Sequence, residues 1–173
     1  MPSYERLLDE AESLGLTVIE RYPFESPRIR GLCCDDTIAL SAQIDTEAER
    51  SVILGEELIH ATCQEGELLD DPRMERRARE RNFDRFVGLS GLVNAFVAGC
   101  REPWEFAEFL GVPEEFFAAA MKSYTQRYGT MVTANTEHGV FTLTFEPTFR
   151  LKRLVRTPRK KRWEQKKLKE EAL

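Results

Sequence analysis

Hydrophobic residues recur at helical spacing through most of the chain, and shorter alternating stretches flank these segments. The helical spacing predicts helices over residues 4–14, 46–60, 71–87, 90–96, 103–111 and 113–129. The alternating stretches predict strands at 16–20, 31–34 and 37–40, and a last hairpin at 131–136 and 140–146. The pattern therefore predicts an α+β fold that is mainly helical, with a small N-terminal sheet and a C-terminal β-hairpin.

Local signals mark where several predicted helices begin. Thr46-Glu47-Ala48-Glu49 has the pattern of a capping box, in which Thr46 accepts from the backbone at Glu49 and the Glu49 side chain reaches back. Asp71 followed by Pro72 opens the next helix, because proline is tolerated at the first helical position. Ser90 is the expected cap of the helix that follows.

The composition is that of an ordinary globular protein. A length of 173 residues, 42% of them hydrophobic, suits a single domain with a buried core. No apolar run approaches the roughly 18 residues of a membrane span, and the N-terminus lacks the charged-then-apolar layout of a signal peptide. The four cysteines show no C-x-x-C spacing, which favours free thiols in a reducing compartment. We therefore expect a cytoplasmic protein without membrane contacts.

Charge is distributed unevenly along the chain. Residues 150–173 contain 11 Lys or Arg and 3 Asp or Glu, whereas residues 1–149 contain 14 and 27. We interpret 1–149 as the folded domain and 150–173 as a basic, solvated C-terminal tail. The acidic domain would repel nucleic acid, so we expect no direct nucleic-acid binding beyond weak contacts of the tail.

The segment Glu56-Glu57-Leu58-Ile59-His60 resembles the H-E-x-x-H helix of zinc peptidases, with glutamate in place of the first histidine. Glu56 and His60 are four residues apart, about one helical turn, so their side chains share one face and can bind one metal ion. Glu57 follows the first ligand position, where the motif carries the general base. Helical glutamate pairs are more often simply solvated, so the motif alone is weak support for a metal site.

A catalytic zinc site needs three protein ligands and an open position for water. Glu75, in the first turns of the predicted 71–87 helix, is the best candidate for the third, because small Ala78 beside it would allow that helix to approach closely. An exposed charged helix face is the simpler interpretation of Glu75. Cys63 and His138 are weaker candidate ligands. A buried thiol packed under the helix is the simpler interpretation of Cys63, and a turn residue is that of His138.

Several ordered segments together resemble the ImmA/IrrE family of metallopeptidases, in particular its branch from prophages and mobile elements of Gram-positive bacteria. The later Glu75-Arg76-Arg77-Ala78-Arg79 resembles the family's E-x-x-A element, and residues 104–129 resemble its C-terminal helices. The earlier segments that carry the resemblance are Gly31-Leu32 with Thr37-Ile38-Ala39-Leu40, then Thr46-Glu47-Ala48-Glu49-Arg50, then Leu54-Gly55-Glu56-Glu57-Leu58-Ile59-His60.

The resemblance implies a zincin-like domain and a zinc-dependent endopeptidase that cleaves a helix-turn-helix transcriptional repressor of a prophage or mobile element. It assigns metal binding to His60 and Glu75 and the base role to Glu57. Glu56 departs from the family's usual histidine, although the prophage branch is similar to this chain in having glutamate there. A second carboxylate adds negative charge and weakens a bound metal as a Lewis acid. The alternative is a protein of the same fold that binds a repressor or toxin partner without cutting it.

Residues 104–128 also have the helix–Gly–apolar layout of a DNA-binding helix-turn-helix. The second helix would begin with Glu114 and Glu115, which phosphates would repel. Two short helices packed into the core are therefore the better interpretation. The expected core residues are Trp104, Phe116, Phe117 and Tyr124.

Overall fold

The computed structural model describes residues 3–62, 72–146 and 149–156, which form a mixed α+β fold. Its helices are α1 (Tyr4–Ser13), α2 (Glu47–Ala61), α3 (Pro72–Phe86), α4 (Gly88–Ala98), α5 (Pro103–Phe109) and α6 (Glu114–Tyr128). Its strands are β1 (Thr17–Tyr22), β2 (Gly31–Cys34), β3 (Thr37–Ser41), β4 (Met131–Thr136), β5 (Gly139–Thr144) and β6 (Arg150–Arg156). The mainly helical α+β class predicted from the sequence is confirmed.

The N-terminal sheet has the order β1-β3-β2, with β1 parallel and β2 antiparallel to β3. The two-residue turn between β2 and β3 contains Asp35 at φ 49°, a left-handed conformation that aspartate tolerates and that suits tight hairpins. Central strand β3 is almost wholly buried, and β2 forms an edge of the sheet, packed beside α2.

Helix α2 begins after Thr46, which makes its half of the predicted capping box. The Thr46 hydroxyl accepts a hydrogen bond from the Glu49 backbone N–H at 3.2 Å. The Glu49 carboxylate forms an ion pair with Arg30 on the chain leading into β2. This pair links the start of α2 to the N-terminal sheet.

Helices α3 to α6, with the residues that join them, contribute about half of the core, and aromatic rings pack between them. Phe116 packs edge-on against Phe83 and Phe86, at centroid distances of 5.0 and 5.9 Å, which joins α6 to α3. The Tyr124 hydroxyl is fully buried, donates to the Phe83 carbonyl and accepts from the Gly88 N–H, both at 3.0 Å. These contacts fix the orientation of α3.

Two expectations in this region are wrong. Helix α4 begins at Gly88, not at a Ser90 cap, and Ser90 lies within its first turn. Trp104 is 52% exposed rather than part of the core, because it lies at the start of the short helix α5, whose buried side carries Phe106 and Ala107. The expected core positions of Phe117 and Tyr124 are confirmed.

The C-terminal β-hairpin is part of a three-stranded antiparallel sheet with the order β4-β5-β6. Strand β6 comprises residues that the charge pattern assigned to the basic tail, so the folded region extends beyond residue 149. Leu151 packs against the core, and the guanidinium of Arg153 lies over the Phe141 ring at 4.9 Å. The strand therefore carries basic side chains and still packs against the core. Residues 157–173 of the predicted tail lie outside the described residues.

Within the described parts of the chain, the helices are too short or too polar for any of them to cross a membrane.

Candidate metal centre

Helix α2 turns one side to the core, and its residues Glu56, Glu57 and His60 lie outside that side. Leu54 and Leu58 are buried on its core side, at 0% and 1% exposure. The three motif residues are only partly exposed. The helix is thus fixed by its apolar face while its polar residues face the sheet and α3.

Glu75 comes from the first turn of α3, as the motif analysis predicted. Its Oε1 lies 3.5 Å from His60 Nε2, and ligand atoms of Glu56, His60 and Glu75 all lie within 4.8 Å of one another. Two ligands of one tetrahedral zinc lie about 3.4 Å apart, given zinc–ligand bonds of about 2.0–2.2 Å. The His60–Glu75 separation is close to this value.

Close approach of α3 to α2 depends on small and buried residues at the crossing. Ala78 is 2% exposed, as its expected role in the approach requires. The Asn82 amide, fully buried, donates to the Val52 carbonyl of α2 at 2.8 Å. A β-carbon on Gly55 of α2 would lie 2.6 Å from the Phe86 ring, which shows how tightly the two helices pack.

Arg79 lies one helical turn after Glu75 and contacts both carboxylates of the cluster. Its Nε is 3.7 Å from Glu56 Oε1, and its Nη2 is 3.9 Å from Glu75 Oε2. Burial raises the pKa of Glu56, the Arg79 guanidinium lowers it, and the neighbouring Glu75 carboxylate raises it. Sequence reasoning assigned Arg79 no role, although its four-residue spacing from Glu75 is that of a helical ion pair.

Glu57 is not one of the three clustered residues, and its carboxylate lies against the edge strand β2. The pKa of Glu57 is raised to about 7: burial raises it most, the nearby Glu56 charge adds to the rise, and a hydrogen bond from the Cys33 backbone N–H opposes both effects. A β-carbon on Gly31 would lie 2.7 Å from Glu57 Oε1 and 2.7 Å from Ile53. Glycine at position 31 therefore allows the β2 backbone to lie directly on the carboxylate.

The sequence did not assign Gly31 or Cys33 to the site. The Gly-Leu pair of the hairpin was noted only as part of the family pattern. Its contact with Glu57 depends on how β2 docks on α2, a tertiary contact that no local pattern specifies.

The structure describes one of the two alternative ligands. His138 lies at the turn between β4 and β5, where its Nε2 is 3.7 Å from Glu137 Oε1, and it is not a member of the three-residue cluster. Cys63 lies outside the described residues, as does the loop that joins α2 to α3.

Comparison of the chain with protein-family models, with curated proteins and with solved structures gives no significant match. The resemblance to ImmA/IrrE metallopeptidases is therefore carried by the residues and their spacing alone. What the chain does is inferred from the site.

The donor set fits a divalent transition metal. One imidazole nitrogen and two carboxylate oxygens are ligands that zinc accepts, and they come from two helices whose spacing is fixed by packing. Their arrangement has two carboxylates where the common peptidase site has one, and the Arg79 guanidinium stands beside both.

Proposed function

We propose that the protein is a zinc-dependent endopeptidase of the ImmA/IrrE type with a zincin-like fold, whose metal is held by Glu56, His60 and Glu75. The observation that carries the proposal is the 3.5 Å approach of His60 to Glu75, from two different helices, beside a partly buried carboxylate in the base position. A bound zinc would polarise a water molecule and the scissile carbonyl. The remaining steps are carried out by side chains of the chain.

Glu57 is the general base of the proposed reaction. In the metal-free protein its pKa is raised to about 7, and a bound cation would lower it, so the carboxylate would be ionised and ready to accept a proton near neutral pH. Its oxygens would take the proton from the attacking water and return it to the leaving amine. The contact with Cys33 and the close approach of Gly31 hold the carboxylate in one orientation while it does so.

The edge strand β2 is the proposed binding surface for the substrate backbone. Among the described strands it pairs with β3 alone, and its Cys33 N–H donates a hydrogen bond to Glu57. An extended peptide that added to this edge would run beside Glu57 and the metal ligands of α2. Such a substrate needs an exposed, flexible segment, which a linker of a two-domain repressor provides.

We assign the substrate, by resemblance, to a helix-turn-helix repressor of a prophage or mobile element in the cytoplasm. A non-catalytic protein that binds such a repressor, or a toxin, is the second candidate. Glu56 in place of an imidazole favours it, because a second carboxylate weakens a bound metal as a Lewis acid and Arg79 already offsets one of the two negative charges without any metal.

Elemental analysis tests the metal site. The purified wild type, incubated with zinc and dialysed, should retain about one ion per chain, and His60→Ala and Glu75→Ala should each lose most of it. His138→Ala is the matched control, because it removes the other imidazole from a distant turn and should keep the wild-type content. Wild-type zinc content in both site variants would refute the proposed centre.

Cleavage of a helix-turn-helix repressor, the proposed substrate, separates the two candidates. Glu57→Gln should bind zinc as the wild type does and lower the cleavage rate by about 10²–10⁴-fold, because only the base is lost. A wild type that holds zinc and binds the repressor without cutting it would favour the binding protein.

A further inference from the structure

The guanidinium of Arg79 faces the outer oxygens of the two acidic ligands. Glu75 divides its oxygens between two partners: Oε1 faces His60 at 3.5 Å and Oε2 faces Arg79 at 3.9 Å. Glu56 Oε1 faces the same guanidinium at 3.7 Å. Arg79 is therefore the cation nearest to both carboxylates among the described ion pairs of the cluster.

The net charge of the three ligands explains why a cation beside them matters. A zinc site of two neutral imidazoles and one carboxylate has a ligand charge of −1. The cluster of Glu56, His60 and Glu75 has a ligand charge of −2 when the imidazole is neutral. An arginine side chain keeps its positive charge at any physiological pH, so Arg79 returns the total to −1.

We propose that Arg79 is a charge-compensating residue of the metal centre, which offsets the carboxylate that replaces the first histidine of the motif. The inference rests on the proposed function. Arg79 would act through its charge on the ligands rather than on the substrate, so it is not a catalytic residue. The positive charge of Arg79 offsets part of the negative charge that the two carboxylates bring to the metal. The same charge lowers the affinity of the site for zinc, because a cation beside the site opposes the binding of another cation.

Whether removal of Arg79 raises or lowers the zinc affinity distinguishes charge compensation from a structural role. If Arg79 acts through its charge, its removal strengthens metal binding. If it served mainly to hold the side chains of Glu56 and Glu75 in place, its removal would weaken binding. The Arg79 side chain is 59% exposed, so a neutral replacement leaves the core intact.

The experiment measures zinc affinity by competition with a chromophoric chelator. Arg79→Gln should bind zinc about tenfold more tightly than the wild type at low ionic strength, and the difference should shrink towards about twofold in 0.5 M salt, because salt screens partly exposed charges. Arg79→Lys keeps the charge and should stay near the wild-type affinity.

Arg76→Gln is the matched control. Arg76 lies on the same helix and pairs with Glu80 at 3.2 Å, so this variant makes the same change in net charge away from the cluster. It should bind zinc within about twofold of the wild type.

The outcomes are distinct for the two proposals. A wild type without zinc would overturn both. Zinc on the wild type, with equal or weaker binding by Arg79→Gln, would overturn charge compensation and leave the metal centre standing. Tighter binding by Arg76→Gln to the same degree as by Arg79→Gln would show that only net charge matters, and would overturn the specific role of Arg79.

Discussion

Replacing Glu57 by glutamine should stabilise the metal-free protein at alkaline pH and have little effect in acid. The Glu57 pKa of about 7 lies above the ordinary glutamate value of 4.5, because burial and the Glu56 charge disfavour the ionised form. The folded state therefore holds the proton more tightly than the unfolded state. Stability supplied by the protonated group is complete below about pH 4.5 and is lost as pH rises to about 7.

The size of the effect follows from the same shift. One pKa unit corresponds to about 1.4 kcal/mol, so the rise from 4.5 to about 7 sets an upper limit of about 3 kcal/mol. Glu57 is only partly shielded from solvent, which roughly halves this value, to about 1–2 kcal/mol at pH 8. Glutamine keeps the shape and the acceptor for the Cys33 N–H but carries no charge, so Glu57→Gln should gain this amount.

Urea unfolding followed by circular dichroism, with a chelator present, measures the difference between variant and wild type from pH 5 to pH 8. The chelator matters because a bound cation would itself favour the ionised carboxylate. Glu25→Gln, in the exposed segment between β1 and β2, is the control and should change stability by less than about 0.5 kcal/mol at either pH. A variant-minus-wild-type difference that does not grow between pH 5 and pH 8 would show that Glu57 is not held in a charge-disfavouring environment.

Two glycine substitutions extend the predictions to the neighbours of the site. Gly31→Ala should leave the zinc content unchanged and lower the cleavage rate at least tenfold. The new β-carbon would lie 2.7 Å from Glu57 Oε1 and displace the base. Loss of zinc in this variant would contradict the assignment of Glu57 as a base rather than a ligand. Gly55→Ala should destabilise the fold by up to about 2 kcal/mol in urea unfolding. The added β-carbon would lie 2.6 Å from the buried Phe86 ring, and the overpacking cost of about 1–3 kcal/mol is offset by only roughly 1 kcal/mol of helix propensity; increased stability would show that α3 moves aside freely.

The parts of the fold that depend on local patterns could be predicted from the sequence. Helix α2 begins at the Thr46 cap, and the four-residue spacing of Glu56 and His60 places both on one face whatever the rest of the chain does. The approach of Glu75 was a non-local prediction, and it succeeded because Pro72 and Ala78 gave the start of α3 and the surface on which it packs.

Features that depend on tertiary contacts were missed. The lysines and arginines of β6 follow the composition of a solvated tail, and only pairing with β5 and the packing of Arg153 on Phe141 make a strand of them. The contact of Gly31 with Glu57 requires knowledge of how the sheet docks on α2. Trp104 was placed in the core by its apolarity, yet the short helix α5 buries its other side.

Two different elements contact the functional residues of helix α2. Successive residues of α2 point about 100° apart, so Glu56 and His60 face α3 while Glu57 faces β2. The proposed ligands are thus completed by a helix, and the proposed base is oriented by the edge of a sheet. Because different elements fix the two functions, a change at the sheet edge can disable the base without releasing the metal. A change at the α2–α3 contact should act in the opposite way, since it alters the distance between the ligands before it reaches Glu57.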